Sequence, residues 1–166
     1  MKAILERRSI RKYTDGPVSE TDMEDLLKAA MAAPSAGNEQ PWEFLVVTDR
    51  ENLEAITTVH PYSSMLLGAP AAIIVCGDEN KEQWKGYWPQ DCSAATENIL
   101  IAAQDKGLGS VWLGVYPMTD RVEGIKKIFN LPDNIIPFCV LPIGHPAEEK
   151  GPSNRYDSSR VHREKW

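Results

Sequence analysis

"SETDMEDLLKAAMAAPSAGNEQPWEFLVVT", from Ser19 to Thr48, changes its hydrophobic period partway along. Met23, Leu26, Leu27, Ala30 and Met31 recur at i, i+3, i+4, i+7 and i+8, so they share one face of a helix. Ser19 stands ahead of that face as an N-cap, and Asp22, three residues on, supplies the acidic half of a capping box. Pro34 ends the helix, because proline disfavours helical backbone in the residue before it and donates no N–H. After a junction of small and amide residues, "WEFLVVT" (42–48) reads as a β-strand.

The same alternation of helix and strand continues on both sides. Asp49 is expected to cap a helix through "ENLEAITTV", and "SSMLLGAP" reads as a short turn. "AAIIVC" (71–76) is a continuous apolar run, the pattern of a strand buried on both faces. The longest helix is expected over "DCSAATENILIAAQDK" (91–106), closed by Gly107 at C′. Rich in alanine and apolar on most sides, it belongs at the centre of the domain or of a dimer. "GSVWLGV" (109–115) is strand-like, and Thr119 is expected to cap "DRVEGIKKIF", where Val122, Ile125, Ile128 and Phe129 line one side. "IIPFCVLPIG" (135–144) is a further strand whose two prolines limit its hydrogen bonding. Residues 145–166 lack apolar periodicity and read as an extended arm that needs another surface to lie on. The expectation is one α+β domain over residues 1–166.

Charge is distributed unevenly. The 166 residues carry 18 Lys and Arg against 24 Asp and Glu, a net charge of −6. Lys2, Arg7, Arg8, Arg11 and Lys12 nevertheless put five cations against one acid, Glu6, in the first twelve residues. The acidic balance argues against general nucleic-acid binding, which needs an extended basic face. The apolar runs are too short to span a bilayer, and charges from Lys2 onward leave no apolar signal region. Cys76, Cys92 and Cys139, odd in number and widely spaced, are expected as reduced thiols in a cytoplasmic protein. His60, His145 and His162 are scattered, HExxH and CxxC are absent, and no metal site is expected.

Three segments carry candidate chemistry. In "LERRSIRKY", Arg7, Ser9 and Arg11 alternate, so in an extended backbone they face one side. Two guanidinium forks and a hydroxyl suit a phosphate monoester, although the bare pattern also fits a solvated basic turn. In "AAPSAGNEQPWEFLVV" (32–47), the small Pro34, Ser35, Ala36 and Gly37 would let a flat ring approach the backbone, and Asn38 and Gln40 bring amide groups. A helix stop followed by an ordinary loop is the plainer alternative. In "DKGLGSVWLGVYP" the glycines serve turns at least. The aromatics of "EQWKGYWPQD" (82–91), Trp84, Tyr87 and Trp88, are either core packing or a wall that selects flat substrates, with Tyr62 a weaker candidate for that wall.

Taken together, "RRSIRKY", "APSAGNEQPWEF", "GAPAAIIVC", "ENILIAAQDKGLGSVWLG" and "LPIGHPAEEKGPSNR" resemble the nitroreductase family of FMN-dependent oxidoreductases, in a compact form. Each piece is loose alone, but their order and spacing over nearly the whole chain are specific. The resemblance implies a mixed β-sheet flanked by helices, in an intertwined homodimer with FMN sites at the subunit interface. It implies that Arg7, Ser9 and Arg155 hold the FMN phosphate, with Arg8 adjacent. Arg11 would lie by the pyrimidine edge of the flavin, favouring negative charge at N1 and O2. Pro34, Ser35, Ala36, Asn38 and Gln40 would cover the ring and ribityl chain from the partner subunit. Leu113 and Gly114 would offer backbone N–H groups to N5 and O4, although larger members carry a polar side chain where Leu113 stands. "HPYSSML" matches poorly, and no role carries over to it.

The implied activity is transfer of hydride from NAD(P)H to a nitroaromatic, quinone or related electron-poor acceptor by a ping-pong cycle, with no side-chain acid or base. A non-catalytic FMN-binding protein, or a dehalogenating or flavin-fragmenting relative, is the alternative.

Overall fold

The computed structural model describes residues 1–166. Helix α1 (Lys2–Glu6) is a short turn leading into the basic segment. Helix α2 (Glu20–Met31) begins at the expected cap, where Ser19 Oγ accepts the Asp22 N–H at 3.0 Å and donates to Asp22 Oδ2 at 2.7 Å. Met23, Leu26 and Ala30 are buried along its apolar face, whereas Met31, in the last turn, is exposed. Strand β1 (Trp42–Val47) follows, then helix α3 (Arg50–Val59), whose cap Asp49 accepts the Asn52 N–H at 3.0 Å. The turn "SSMLLGAP" contains a single 3-10 helix, Ser64–Leu67.

Strand β2 (Ala71–Asp78) is buried at every residue, as its apolar run requires. Helix α4 (Trp88–Asp105) starts three residues earlier than expected, because Pro89 is tolerated in the first turn, where its N–H would be unpaired anyway. Gly107 has φ +72°, the left-handed conformation that closes a helix. The expected strand 109–115 is divided into β3 (Gly109–Ser110) and β4 (Leu113–Gly114), with Val111 and Trp112 between them. Helix α5 (Thr119–Phe129) corrects the capping expectation: Thr119 is its first helical residue, and Met118 precedes it with no side-chain cap. Strand β5 (Ile135–Gly144) completes the sheet.

The strand order is β1-β2-β5-β3, with β4 also paired to β5. The α+β class and the helix-flanked sheet are as expected, but every strand pairing is antiparallel rather than mixed. The one parallel contact with the sheet is an isolated bridge between Ser9 and Ser110. Because β2 alternates sides, Ile73 and Val75 pack with α2 and α4, whereas Ala72 and Ile74 pack with α3 and α5.

The prolines of β5 mark an irregularity. Pro137 stands opposite Cys76 and Cys139 opposite Val75, leaving Phe138 as the extra residue of a bulge. The Phe138 carbonyl accepts N–H groups from both Val115 and Tyr116, at 3.1 and 3.0 Å.

Trp88 belongs to this core rather than to a pocket wall. Its ring packs edge-on against Tyr116 and Phe138, with centroids 4.8 and 6.0 Å away, and lies over Gly77. Residues 145–147 run beside the N-terminal segment: the His145 carbonyl accepts the Thr14 N–H, and the Ala147 N–H donates to Lys12 O, both at 2.9 Å. Beyond them the chain is mostly exposed, with a 3-10 turn at Ser158–Arg160. No helix is long and apolar enough to cross a membrane. A Cβ at Gly77 would lie 2.4 Å from Trp88 Cε3. Gly77→Ala is therefore expected to destabilise the fold by about 1–3 kcal/mol, measured by urea unfolding.

Candidate functional site

The basic segment is laid along the open edge of the sheet. Ile10 N–H donates to Ser110 O at 2.9 Å, next to the Ser9–Ser110 bridge. Gly109 makes the approach possible, since a Cβ there would meet Ile10 Cγ2 at 2.7 Å. Arg7, Arg8, Ser9, Arg11, Lys150 and Arg155 line a cavity of about 210 Å³ that contains no acidic and no apolar residue. The structure thus brings together all five residues expected at the basic end of the site and adds Lys150, which the sequence reading missed within "AEEKGPSNR".

Lys150 ties the arm to the basic segment, with Nζ donating to Ser9 O at 2.5 Å. Arg8 Nη1 donates to the Gly151 carbonyl, and Arg7 Nε lies 3.4 Å from Glu97 Oε1. Glu148 accepts the Arg11 N–H at 2.5 Å and lies 3.2 Å from Lys150 Nζ. Those partners, the Arg11 N–H foremost, hold its carboxyl below the usual range. Five cations around one small chamber are chemically suited to a multiply charged anion such as a phosphate monoester.

Arg11 also lines a second cavity, of about 480 Å³, with His60, Pro61, Tyr62, Ser64, Met65, Trp112, Leu113, Gly114 and Arg121. Its geometry centres on the Gly114 carbonyl, which accepts from His60 Nε2 at 2.9 Å and from Arg121 Nη1 at 2.7 Å. His60 is buried, and burial lowers its pKa, with the Arg121 charge acting in the same direction. The ring is therefore neutral, with Nε2–H donating to Gly114 while Nδ1 accepts the Tyr62 N–H at 3.3 Å. A flat ligand can reach the backbone here, since a Cβ on Gly114 would point into open space. Tyr62 is 70% exposed, and the Arg121 guanidinium sits 5.6 Å from its ring centroid. Sequence reading placed Tyr62, Leu113 and Gly114 here but missed His60, Trp112 and Arg121. His60 and Tyr62 fall in "HPYSSML", where the family match is poor, and isolated histidines and arginines carry no spacing signal.

The segment 34–40 is built differently and lines neither cavity. Gly37, Asn38 and Gln40 have φ of 53°, 60° and 48°, unusual backbone for the two amides. Ser35 Oγ accepts the Gln40 N–H at 3.0 Å, and Gln40 Nε2 donates to Asn38 Oδ1 at 2.9 Å. The exposed Trp84 indole covers Gly37. Pro34, Ser35, Ala36, Asn38, Gln40, Trp84 and Tyr87 are thus separated from the arginines within a single chain.

Two buried carboxyl groups pin that loop. Asp91 Oδ1 accepts the Ala36 N–H at 3.0 Å, and Glu39 Oε2 accepts those of Gln83 and Trp84 at 2.6 and 2.9 Å. The remaining oxygens, Glu39 Oε1 and Asp91 Oδ2, have no other partner. A proton on Asp91, donated to Glu39, satisfies both. Burial raises the Asp91 pKa, and the nearby Glu39 and Glu82 add to it against the Ala36 hydrogen bond.

The five-cation chamber and the adjoining aromatic cavity, side by side at the edge of the sheet of an α+β protein, have the chemistry to suit a phosphorylated, flat ligand. The chain belongs to the nitroreductase family, whose model matches residues 4–60 and 57–145. It is 54% identical over 166 residues to a protein of Methanothermobacter thermautotrophicus named "Putative NADH dehydrogenase/NAD(P)H nitroreductase", spanning 100% of this chain and 87% of that one. It superposes with a TM-score of 0.92 on an FMN-dependent nitroreductase of Clostridium difficile, at 32% identity over 100% of both chains. A Desulfovibrio desulfuricans protein described as a "putative nitroreductase in complex with fmn" gives a TM-score of 0.86 at 30% identity, over 99% of this chain and 96% of that one.

A raised acid pKa in the folded state means that protonation favours the fold. The contribution of Asp91 is full below the ordinary aspartate pKa and is lost as pH rises through the raised value. Asp91→Asn keeps an acceptor for Ala36 and donates to Glu39 without needing a proton. Its Tm relative to wild type is expected to rise by a few degrees at about pH 7 and by less at about pH 4, read by calorimetry. Equal differences at both pH values would remove the shared proton.

Proposed function

We propose that this chain is an FMN-dependent NAD(P)H oxidoreductase that reduces nitroaromatic, quinone or related electron-poor acceptors by a ping-pong cycle, working as a homodimer. The observation that carries the reading is the all-polar cavity of Arg7, Arg8, Ser9, Arg11, Lys150 and Arg155 opening beside the aromatic cavity at Gly114, with Arg11 shared between them. The donor set fits FMN: cations and a hydroxyl for a dianionic phosphate, then a larger chamber with open space over Gly114 for a flat ring. Bound there, FMN supplies two-electron transfer between nicotinamide and acceptor.

The chain's own residues supply binding, orientation and electrostatics. Arg7, Ser9, Lys150 and Arg155 hold the phosphate, with Arg8 braced on the Gly151 carbonyl. Arg11 favours negative charge at the boundary of the two chambers without moving a proton. His60 and Arg121 grip the Gly114 carbonyl, so the Leu113–Gly114 backbone meets its ligand in one orientation. The strained loop 34–40, displaced from these cavities, completes the site of the partner subunit with Pro34, Ser35, Ala36, Asn38 and Gln40, and Trp84 and Tyr87 wall the entrance.

The decisive experiment is optical. Purified protein saturated with FMN should lose its yellow colour with NADH or NADPH and regain it with menadione, and colour that neither nucleotide bleaches would overturn the oxidoreductase reading. Arg7→Ala and Arg155→Ala should each weaken FMN about tenfold to a hundredfold, by loss of a charge-assisted bond, while riboflavin changes little. Equal weakening of both flavins would move the phosphate elsewhere. Dimers mixed from Arg7→Ala and Asn38→Ala subunits place both lesions in one site and none in the other. They should therefore regain about half the flavin of wild type if the loop serves the partner. A monomer that retains FMN at high dilution would refute the shared site.

A further inference from the structure

We propose that Arg121 is a specificity residue that pairs with a carboxylate on an aromatic acceptor in the part of the Gly114 cavity that the flavin ring leaves open. The Arg121 guanidinium spends one N–H on Gly114 O and forms no ion pair with any acid. The side chain of Arg11, on the same cavity, makes no hydrogen bond and no ion pair either. Asp120 and Glu123, the acids nearest Arg121 in sequence, do not pair with it, and no carboxylate lines the chamber. Its remaining walls are the neutral His60, Pro61, Ser64, and the flat or apolar surfaces of Tyr62, Met65, Trp112 and Leu113. With Arg11 serving the flavin at the boundary of the two chambers, Arg121 is the guanidinium left without an anion beside these ring-shaped walls, and it calls for a ring that bears one.

The geometry also prepares Arg121 for this task. Its bond to Gly114 and the Tyr62 face, 5.6 Å from the guanidinium carbon, fix the group in place, so little freedom is lost when an oxyanion arrives. The phosphate chamber has its own five cations and does not enlist Arg121. The identification of the ligand as an electron acceptor rests on the oxidoreductase reading, whereas the preference for the anion does not. The 2′-phosphate of NADPH offers a related oxyanion, and the test separates the two.

The probes are 4-nitrobenzoate and 4-nitrobenzamide, matched in size and differing in charge, titrated calorimetrically into FMN-saturated protein without a reductant. If no FMN binds, the same titration is made on the protein alone, so a failure of the flavin reading does not conceal the result. Wild type should bind the acid more tightly than the amide. Arg121→Gln should weaken the acid about tenfold or more and the amide by less than about twofold, and Arg121→Lys should keep most of the preference. Equal weakening of both probes would mean that Arg121 acts only by holding Gly114, and would overturn the proposal. So would an equal loss of the acid in Arg7→Gln, which would place the anion in the phosphate chamber. Loss of NADPH relative to NADH, with the acid unaffected, would reassign Arg121 to the donor.

Discussion

Like charges crowded into one chamber repel, and Arg7, Arg8, Arg11, Lys150 and Arg155 share one chamber, with Arg8 and Lys150 anchored on backbone carbonyls. The Ile10–Ser110 hydrogen bond and the Ser9–Ser110 bridge fasten the N-terminal segment to the sheet, and Lys150 and Gly151 fasten the arm to that segment in turn. Glu97 and Glu148 offset part of the charge without entering the lining of the chamber. The result is an electrostatic cost that a dianion in the chamber would offset. The close approach depends on a single missing side chain, at Gly109.

The same edge is where the sheet leaves backbone within reach. Strand β2 is buried throughout, with α2 and α4 on one face and α3 and α5 on the other. The two cavities lie instead on the side of β5 where β3 and β4 are only two residues each. Their shortness exposes Gly114 while His60 and Arg121 restrain its carbonyl. A neutral histidine and a charged arginine on one oxygen divide the work: the first orients, and the second leaves most of its charge uncommitted.

The loop after α2 answers to a different constraint. Left-handed backbone at Asn38 and Gln40 is unfavourable, and it persists because Asp91 and Glu39 hold Ala36, Gln83 and Trp84 from the protein interior. Buried carboxyl groups are costly unless protonated or paired, so a structure that retains two has a use for rigidity at that position. A loop so constrained, presenting amides outward and lining neither the phosphate chamber nor the Gly114 cavity, is suited to a ligand held by another subunit.

Local signals were readable in the chain before any fold was known. The capping pairs at Ser19 and Asp49, the double-sided burial of β2, the left-handed Gly107 and the basic alternation of residues 7–11 all follow from side-chain chemistry within a few positions. Family motifs extended that reading to Arg155, Leu113 and Gly114. Other features depended on groups distant in sequence. Trp88 is core because it meets Gly77, Tyr116 and Phe138, and Lys150 joins the arginine-lined chamber because the arm returns to Ser9. His60 and Arg121 converge on one carbonyl from α3's end and from α5. The sequence by itself determined the elements and the charge that seeks an anion, because propensity and periodicity act locally. Only the tertiary structure decided which cations share a chamber, because that is a matter of packing across the sheet.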